Sequence, residues 1–389
     1  VNLEQAIDDC LSKAVDDQIV PGAVGAVIDK DGIVTVRAHG AKSEANGTAM
    51  KADTVFQIAS MTKPIAGVAC LQAVERGLLQ LDQPAAEIIP QLGDLQVLED
   101  INESGPVLRP PKSPVTLRNL LTHTSGFTYE VWNPEIAQWI EHQGTPGIGS
   151  RELASLDRPL SFEPGQRWEY GIGIDWAGQL LEAVSGIKLG EWMRKEIFDP
   201  LGMSDTAYQC SSEMEERKAA VHILTKDRWK ALPTEPPSTV AEFDSGGGGL
   251  FSTAIDYAKF IQMILCEGKL AEHEILSKQT VSAMSSNNMG HLRVTPVTSI
   301  DHNLSADFEF MRGVPKSWGL TFQINEDTVV GGRNAGSLSW AGLFNTHFWI
   351  DRTSGFGALL MTQTLPFMIP QVAALLNEFE QTLYQSLAA

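Results

Sequence analysis

A serine followed three residues later by a lysine, Ser60-Met61-Thr62-Lys63, puts a nucleophile and a base at the head of an apolar run. Side chains at i and i+3 project from one face of a helix. Pro64 falls where a first helical turn tolerates proline. Beyond it Ile65–Leu71 is apolar nearly all round, as suits a helix in the core of its domain. A helix start adds free N–H groups and partial positive charge beside the hydroxyl. A lysine ammonium in water titrates at about 10.4. Desolvation next to an electropositive helix end lowers that value and turns Lys63 into a base for the Ser60 proton. On the residues alone two readings stand: an acyl-transfer nucleophile with its base, or a serine N-cap followed by a surface lysine.

The same spacing recurs at Ser185-Gly186-Ile187-Lys188. There the serine and glycine close the helical run Trp176–Val184, so Ser185 reads as a helix stop and Lys188 as solvated. Other chemistries lack their motifs. The chain has no G-x-S-x-G elbow, no phosphate-binding glycine loop and no H-E-x-x-H pair, and its eight histidines are scattered. No metal or cofactor is implied.

These residues must be positioned by a scaffold, and the flanking patterns describe one. Residues 3 to 19 have helical spacing, ended by Pro21-Gly22. Gly22–Ile28 and Ile33–Ala38 read as strands around an Asp31-Gly32 turn. Near the other end Phe344–Ile350 and Phe356–Thr362 read as strands, and Pro370 to Leu387 as an amphipathic helix. Helix–strands facing strands–helix predicts one antiparallel sheet built from both chain ends, with the terminal helices on one face. Between them the segments Ile65–Arg76, Val115–Leu121, Glu135–His142, Trp176–Val184 and Leu189–Ile197 are helix-like and separated by Gly and Pro clusters. The expected architecture is an α/β (α+β) sheet domain of residues 1–63 and 245–389, with a helical domain of residues 64–244 inserted. Gly246–Gly249 marks the return to the sheet, where glycines allow close backbone approach.

Composition bounds the partners. A net charge of −19 on 389 residues repels phosphate backbones, so nucleic acid is not an expected partner. No run reaches the roughly 18 apolar residues of a membrane span, and no basic-plus-apolar leader is visible, so no membrane partner is expected either. Cys10, Cys70, Cys210 and Cys266 lie far apart without a C-x-x-C pair, which fits a reduced, cytoplasmic protein.

Phe56-Gln57-Ile58-Ala59-Ser60-Met61-Thr62-Lys63-Pro64 resembles the S-x-x-K box of class C β-lactamases, family VIII carboxylesterases and D-alanyl carboxypeptidases. Gly77–Asp82, Leu117–Gly126, Phe162–Gly165 through Tyr170, and Gly247–Thr253 follow in that superfamily's order along nearly the whole chain. Trp168-Glu169-Tyr170-Gly171 with Asp175–Gly178 looks most like the lovastatin-type acyltransferases and their esterase relatives. The resemblance implies that Ser60 is the nucleophile, Lys63 its base, and Tyr170 a general base or proton relay whose phenol Lys63 acidifies. It implies an oxyanion hole of the Ser60 and Leu343 backbone N–H groups, the largest electrostatic aid in acyl transfer. It gives His123 a structural role. It places Ile172, Trp340, Ala341 and Gly342 at the substrate. Tyr129, just after the Leu121–Gly126 loop, is expected to line the site, with Trp132 and Trp139 as pocket walls or core.

Two departures shape the expected substrate. Ile172 stands where the family's Y-x-N motif has asparagine, and Trp340-Ala341 where its K-T-G or H-T-G strand has a polar pair. Apolar groups cannot satisfy a buried carboxylate. The expectation is therefore a serine esterase or acyltransferase acting on short to medium neutral acyl esters, small molecules requiring no cofactor. A β-lactamase or D-alanyl-D-alanine carboxypeptidase is the first rival, and a non-catalytic binding homologue the second.

Overall fold

Apolar strands from both chain ends, buried on both faces, meet in one sheet. The computed structural model describes residues 2–226, 228–233 and 241–388. Strands β1 (Gly22–Asp29), β2 (Gly32–Ser43) and β3 (Thr48–Ala49) join β4 (Lys316–Trp318), β5 (Gln323–Asn325), β6 (Leu338–Gly342), β7 (Thr346–Asp351) and β8 (Phe356–Met361). Their order across the sheet is β4-β5-β6-β7-β8-β1-β2-β3, with antiparallel neighbours throughout. The chain ends are stitched at β1–β8, where Val24 faces Met361 and Asp29 faces Phe356. The β1–β2 turn is Lys30-Asp31, one residue earlier than the sequence suggests. The Asp29 carboxylate accepts the N–H groups of Asp31 (2.8 Å) and Gly32 (3.1 Å) and so fixes the tighter position.

Helices α1 (Leu3–Asp16), α4 (Ala254–Leu265) and α5 (Pro370–Ala388) sandwich the sheet. Phe348 and Trp349 are neighbours on β7 and point to opposite faces. Phe348 packs on Tyr257 of α4, ring centroids 5.3 Å apart, and Trp349 on Phe379 of α5, 5.9 Å apart. With α1 packed against α5, the two terminal helices share a face, as expected.

Helix α2 (Thr62–Glu75) is buried on all sides from Thr62 to Ala73, which explains its lack of an apolar stripe. Its polar Gln72 is fully used, donating to the carbonyls of Glu196 (3.1 Å) and Ile275 (3.0 Å) and accepting from the Trp192 indole (2.9 Å). Residues 64–244 carry most of the remaining helices, among them α3 (Gly173–Ser185). They also carry two antiparallel strand pairs that the sequence reading left out, Val97–Asn102 with Gly105–Arg109 and His222–Thr225 with Arg228–Ala231. The first pair is half exposed and rich in polar residues, so it has no alternating signature. Among the described residues no helix is long and apolar enough to cross a membrane.

Candidate active site

Ser60 stands on a strained turn. The 3₁₀ turn Ala59–Met61 leads into α2, so the serine lies just ahead of the α-helix rather than inside its first turn. Ala59 has φ 43°, a left-handed conformation that a residue with a Cβ adopts at a cost of order 1–3 kcal/mol. The turn is pinned from outside, the Ile58 N–H donating to the Leu250 carbonyl (3.0 Å) and the Tyr257 hydroxyl to that of Met61 (3.0 Å).

One turn on, Lys63 is wholly buried and makes three hydrogen bonds. Its Nζ lies 3.1 Å from Ser60 Oγ, 2.8 Å from the Tyr129 hydroxyl and 2.7 Å from the Gly247 carbonyl. Burial pushes its ammonium down to about 7, against the pull of the Asp175 charge. Near neutral pH a large share of Lys63 is therefore the free amine. A neutral amine has two N–H donors and one lone pair. With Gly247 and Tyr129 taking the donors, the lone pair faces the Ser60 hydroxyl.

On the other side of Ser60, the Tyr170 hydroxyl sits 2.7 Å from Oγ and accepts the indole N–H of Trp340 at 3.2 Å. An indole is a donor only, so it leaves the phenol proton free to point at Ser60. Burial raises the Tyr170 phenol well above its usual range, and the bonds to Ser60 and from Trp340 only partly offset this. The lysine does not touch the phenol oxygen. It lies over the ring face, 4.7 Å from the centroid. The acidification of Tyr170 by Lys63 that the resemblance implies thus gives way to a resting phenol held neutral by burial. The tyrosine bonded directly to Lys63 is Tyr129, and burial raises that phenol as well.

The two expected oxyanion donors, Ser60 and Leu343, come to one cleft because β6 docks on the Ser60 turn. A Cβ on Gly342 would overlap the Ile58 carbonyl oxygen, so only glycine lets the strand approach this closely. That approach brings Leu343 to the wall of the same cleft as Ser60. Among the described residues neither backbone N–H is taken by a protein acceptor. Replacing Gly342 by alanine is expected to destabilise the fold by about 1–3 kcal/mol, a typical overpacking cost. It should also lower kcat by moving Leu343. Urea unfolding read beside single-turnover kinetics checks both effects, and an unchanged kcat would remove Leu343 from the site.

Residues 7–379 match the family model described as Beta-lactamase. The chain belongs to the β-lactamase family. It is 30% identical to the lovastatin esterase of Penicillium rubens, an alignment covering 98% of this chain and 99% of that one. It is also 30% identical to the monacolin J acid methylbutanoyltransferase of Aspergillus terreus, over 96% of this chain and 93% of that one. Among solved structures, a mutant simvastatin synthase from Aspergillus terreus superposes with a TM-score of 0.83 at 26% identity, covering 100% of this chain and 98% of that one. The mixed fold, the family and the kinship with lovastatin-type enzymes all agree with the sequence reading.

Within this β-lactamase-family site the other expected residues divide. Tyr129 and Leu343 line the cleft beside Ser60, as do Trp132 and the Gly247–Gly249 wall. Ile172 does not. It is fully buried at the N-cap of α3, where an apolar side chain turns into the core, so its assignment to the substrate is withdrawn. Ala341 is also buried, opposite His347 in the ladder. Trp340 and Gly342 act behind the cleft, on Tyr170 and on Ile58. Trp139 does not line the cleft. His123 is buried with φ 56°, its Nδ1 accepting the Gly171 N–H (3.4 Å) and its ring edge-on to Tyr170 at 4.9 Å. Burial holds its imidazole well below its usual range, so it stays neutral and orients Tyr170. The Ser185 hydroxyl bonds the Leu181 carbonyl (2.7 Å) and Lys188 pairs with Glu182, a helix end as expected.

Two contributors were not recognised from sequence. The Gly247 carbonyl anchors Lys63, and Asp175 braces that loop, its Oδ1 accepting the Ser245 hydroxyl (2.5 Å) and the Gly247 N–H (3.0 Å). The sequence signals were their places in the motifs Asp175–Gly178 and Gly247–Thr253, which carried no role for either residue.

Proposed function

We propose that this protein is a serine esterase or acyltransferase that works through an acyl-enzyme on Ser60. The reading rests on one observation: Ser60 Oγ is bonded at once to a lysine that is partly neutral and to a tyrosine supported by an indole. In acylation Lys63 takes the Ser60 proton while Oγ attacks the ester carbonyl. The Ser60 and Leu343 N–H groups hold the oxyanion. As the C–O bond breaks, Tyr170 gives its proton to the departing alcohol. The phenolate so formed is stabilised by Trp340 and by the new Lys63 ammonium over its ring. In deacylation the phenolate takes a proton from water or a second alcohol, that oxygen attacks the acyl carbon, and Lys63 returns its proton to Oγ. The two steps restore every group.

The names of the relatives support both outcomes, since one is an esterase and another an acyltransferase. The substrate is read as a small-molecule ester, and the protein as cytoplasmic on the strength of four unpaired cysteines. Two domains, 1–63 with 245–389 and 64–244, are read as closing on the cleft. Ser60, Gly247 and Leu343 come from the first, and Tyr129, Trp132 and Tyr170 from the second.

Around the scissile bond the site favours a neutral group. Where relatives' motifs place polar side chains, Trp340 spends its N–H on Tyr170, and Ala341 and Ile172 are buried. Arg333 cannot replace the missing cation, because it is buried in a two-point ion pair with Glu380 (2.8 and 2.6 Å). A β-lactam carboxylate therefore forgoes charge-assisted bonds of roughly 1.5–3 kcal/mol each. A nitrophenyl butyrate is expected to exceed a chromogenic cephalosporin in kcat/KM by at least about tenfold, which needs only about 1.4 kcal/mol. Equal values in one buffer would favour the β-lactamase reading.

A further inference from the structure

The cleft beside Ser60 has a volume of about 350 Å³, and its walls are mainly apolar: Val131, Trp132, Ile148, Leu250, Leu343 and Phe344. Arg151 is the one charged side chain among its described lining residues, and no acid stands on the same wall. That is notable on a chain of net charge −19. The guanidinium forms no hydrogen bond or ion pair with a described residue, whereas most other arginines of the chain are paired with acids.

Its position is built. Arg151 closes the 3₁₀ turn Ile148–Ser150 with φ 56°, and its carbonyl accepts the Glu242 N–H at 3.0 Å, so the backbone is held in a conformation it would not choose alone. The guanidinium reaches Gly249: a Cβ there would lie 3.7 Å from Nη1. A Cβ on the adjacent Gly248 would lie 3.8 Å from the Ala59 carbonyl carbon, next to Ser60. Gly248 and Gly249 thus put no side chain on the stretch of wall between the Ser60 turn and the guanidinium, and both line one cleft. Tyr170, the proposed donor to the leaving alcohol, lines a separate groove with Trp132 and Trp168, where Arg167 is neutralised by Glu169 (3.0 and 2.8 Å). The alcohol then departs toward that groove, and the acyl group occupies the cleft containing Arg151.

We propose that Arg151 is a specificity residue that binds a carboxylate at the far end of the acyl group, so that the preferred acyl donors are half-esters of dicarboxylic acids. This rests on the acyl-enzyme reading above and deepens it. The ester carbonyl still meets only neutral groups; the charge is recognised at a distance along the acyl chain. A guanidinium in an apolar cleft, with no partner among the described residues, offers a carboxylate a two-point, charge-assisted hydrogen bond.

The test compares the mono-ethyl esters of succinic, glutaric and adipic acid with ethyl butyrate, valerate and hexanoate by pH-stat titration of the purified protein. A second arm uses a butyryl ester of a carboxylated alcohol. At least one half-ester is expected to exceed its neutral partner about tenfold or more in kcat/KM, mainly through KM, and less so at high salt. Arg151→Met should collapse that ratio, Arg151→Lys should keep part of it, and Arg312→Met, an exposed cation outside the cleft, should keep all of it. No half-ester preference, or one that survives Arg151→Met, overturns the proposal. So does an Arg151-dependent preference only in the carboxylated-alcohol arm. If neutral esters are not turned over and a phosphonate does not label Ser60, the acyl-enzyme reading itself fails, and this inference falls with it.

Discussion

Replacing Ser60 by alanine is expected to abolish both ester turnover and labelling by a serine-directed phosphonate. The loss in kcat should be on the order of 10⁴-fold or more, as when a nucleophile is removed and only binding and oxyanion contacts remain. The fold should survive, because Ser60 is half exposed and its hydroxyl holds up nothing but Lys63 and Tyr170. Ser185→Ala provides the matched control. Its motif has the same spacing, yet its hydroxyl is spent on the Leu181 carbonyl and its lysine on Glu182, so turnover and labelling should persist. Intact-mass spectrometry after labelling reads the result directly. An adduct on the Ser60→Ala protein, or loss of labelling in Ser185→Ala, would mean the nucleophile has been misassigned.

The contrast between the two serines shows what the sequence made legible. Ser60 was separable from Ser185 because its run is apolar all round and must be buried, while Ser185 is followed by a glycine that ends its helix. The sheet built from both chain ends was legible for a similar reason: each end carries its own pair of apolar β-rich runs around a turn, and its own helix. What escaped were features without side-chain periodicity. Gly247 contributes a carbonyl, which every residue possesses, and only its crowding against Asp175 and the Tyr129 hydroxyl makes glycine necessary. Trp340 was read as the loss of a polar pair, because an indole counts as apolar in a pattern. Its single N–H nonetheless reaches Tyr170. Ile172 was misplaced for the opposite reason. Its alignment with a substrate-binding asparagine carried the role over, but an apolar side chain at that N-cap packs inward.

Removing either proton carrier should cost almost as much as removing the nucleophile. Lys63→Ala and Tyr170→Phe are each expected to lower kcat by at least about 100-fold, the low end of general acid–base catalysis. Combining either with Ser60→Ala should add little, since groups that act as a unit are not additive. The pH profile separates their roles. Lys63 acts as the free amine and its ammonium titrates at about 7, so kcat/KM should rise with pH through that value and level off above it. Below it the ammonium has no lone pair for the Ser60 proton, and activity should fall about tenfold per pH unit. His123 cannot supply this limb, because burial keeps its imidazole neutral to well below the usual histidine range. In Lys63→Ala the limb near 7 should vanish from the residual rate, whereas in Tyr170→Phe it should remain, because the lysine is untouched. Tyr129→Phe removes a hydrogen-bond partner of Lys63 without removing a proton carrier, so it should shift the limb rather than abolish turnover. A limb near 7 that persists in Lys63→Ala would assign the base to another group. Near-full activity in Tyr170→Phe would assign the leaving-group proton to the Lys63 ammonium, which carries the proton taken from Ser60.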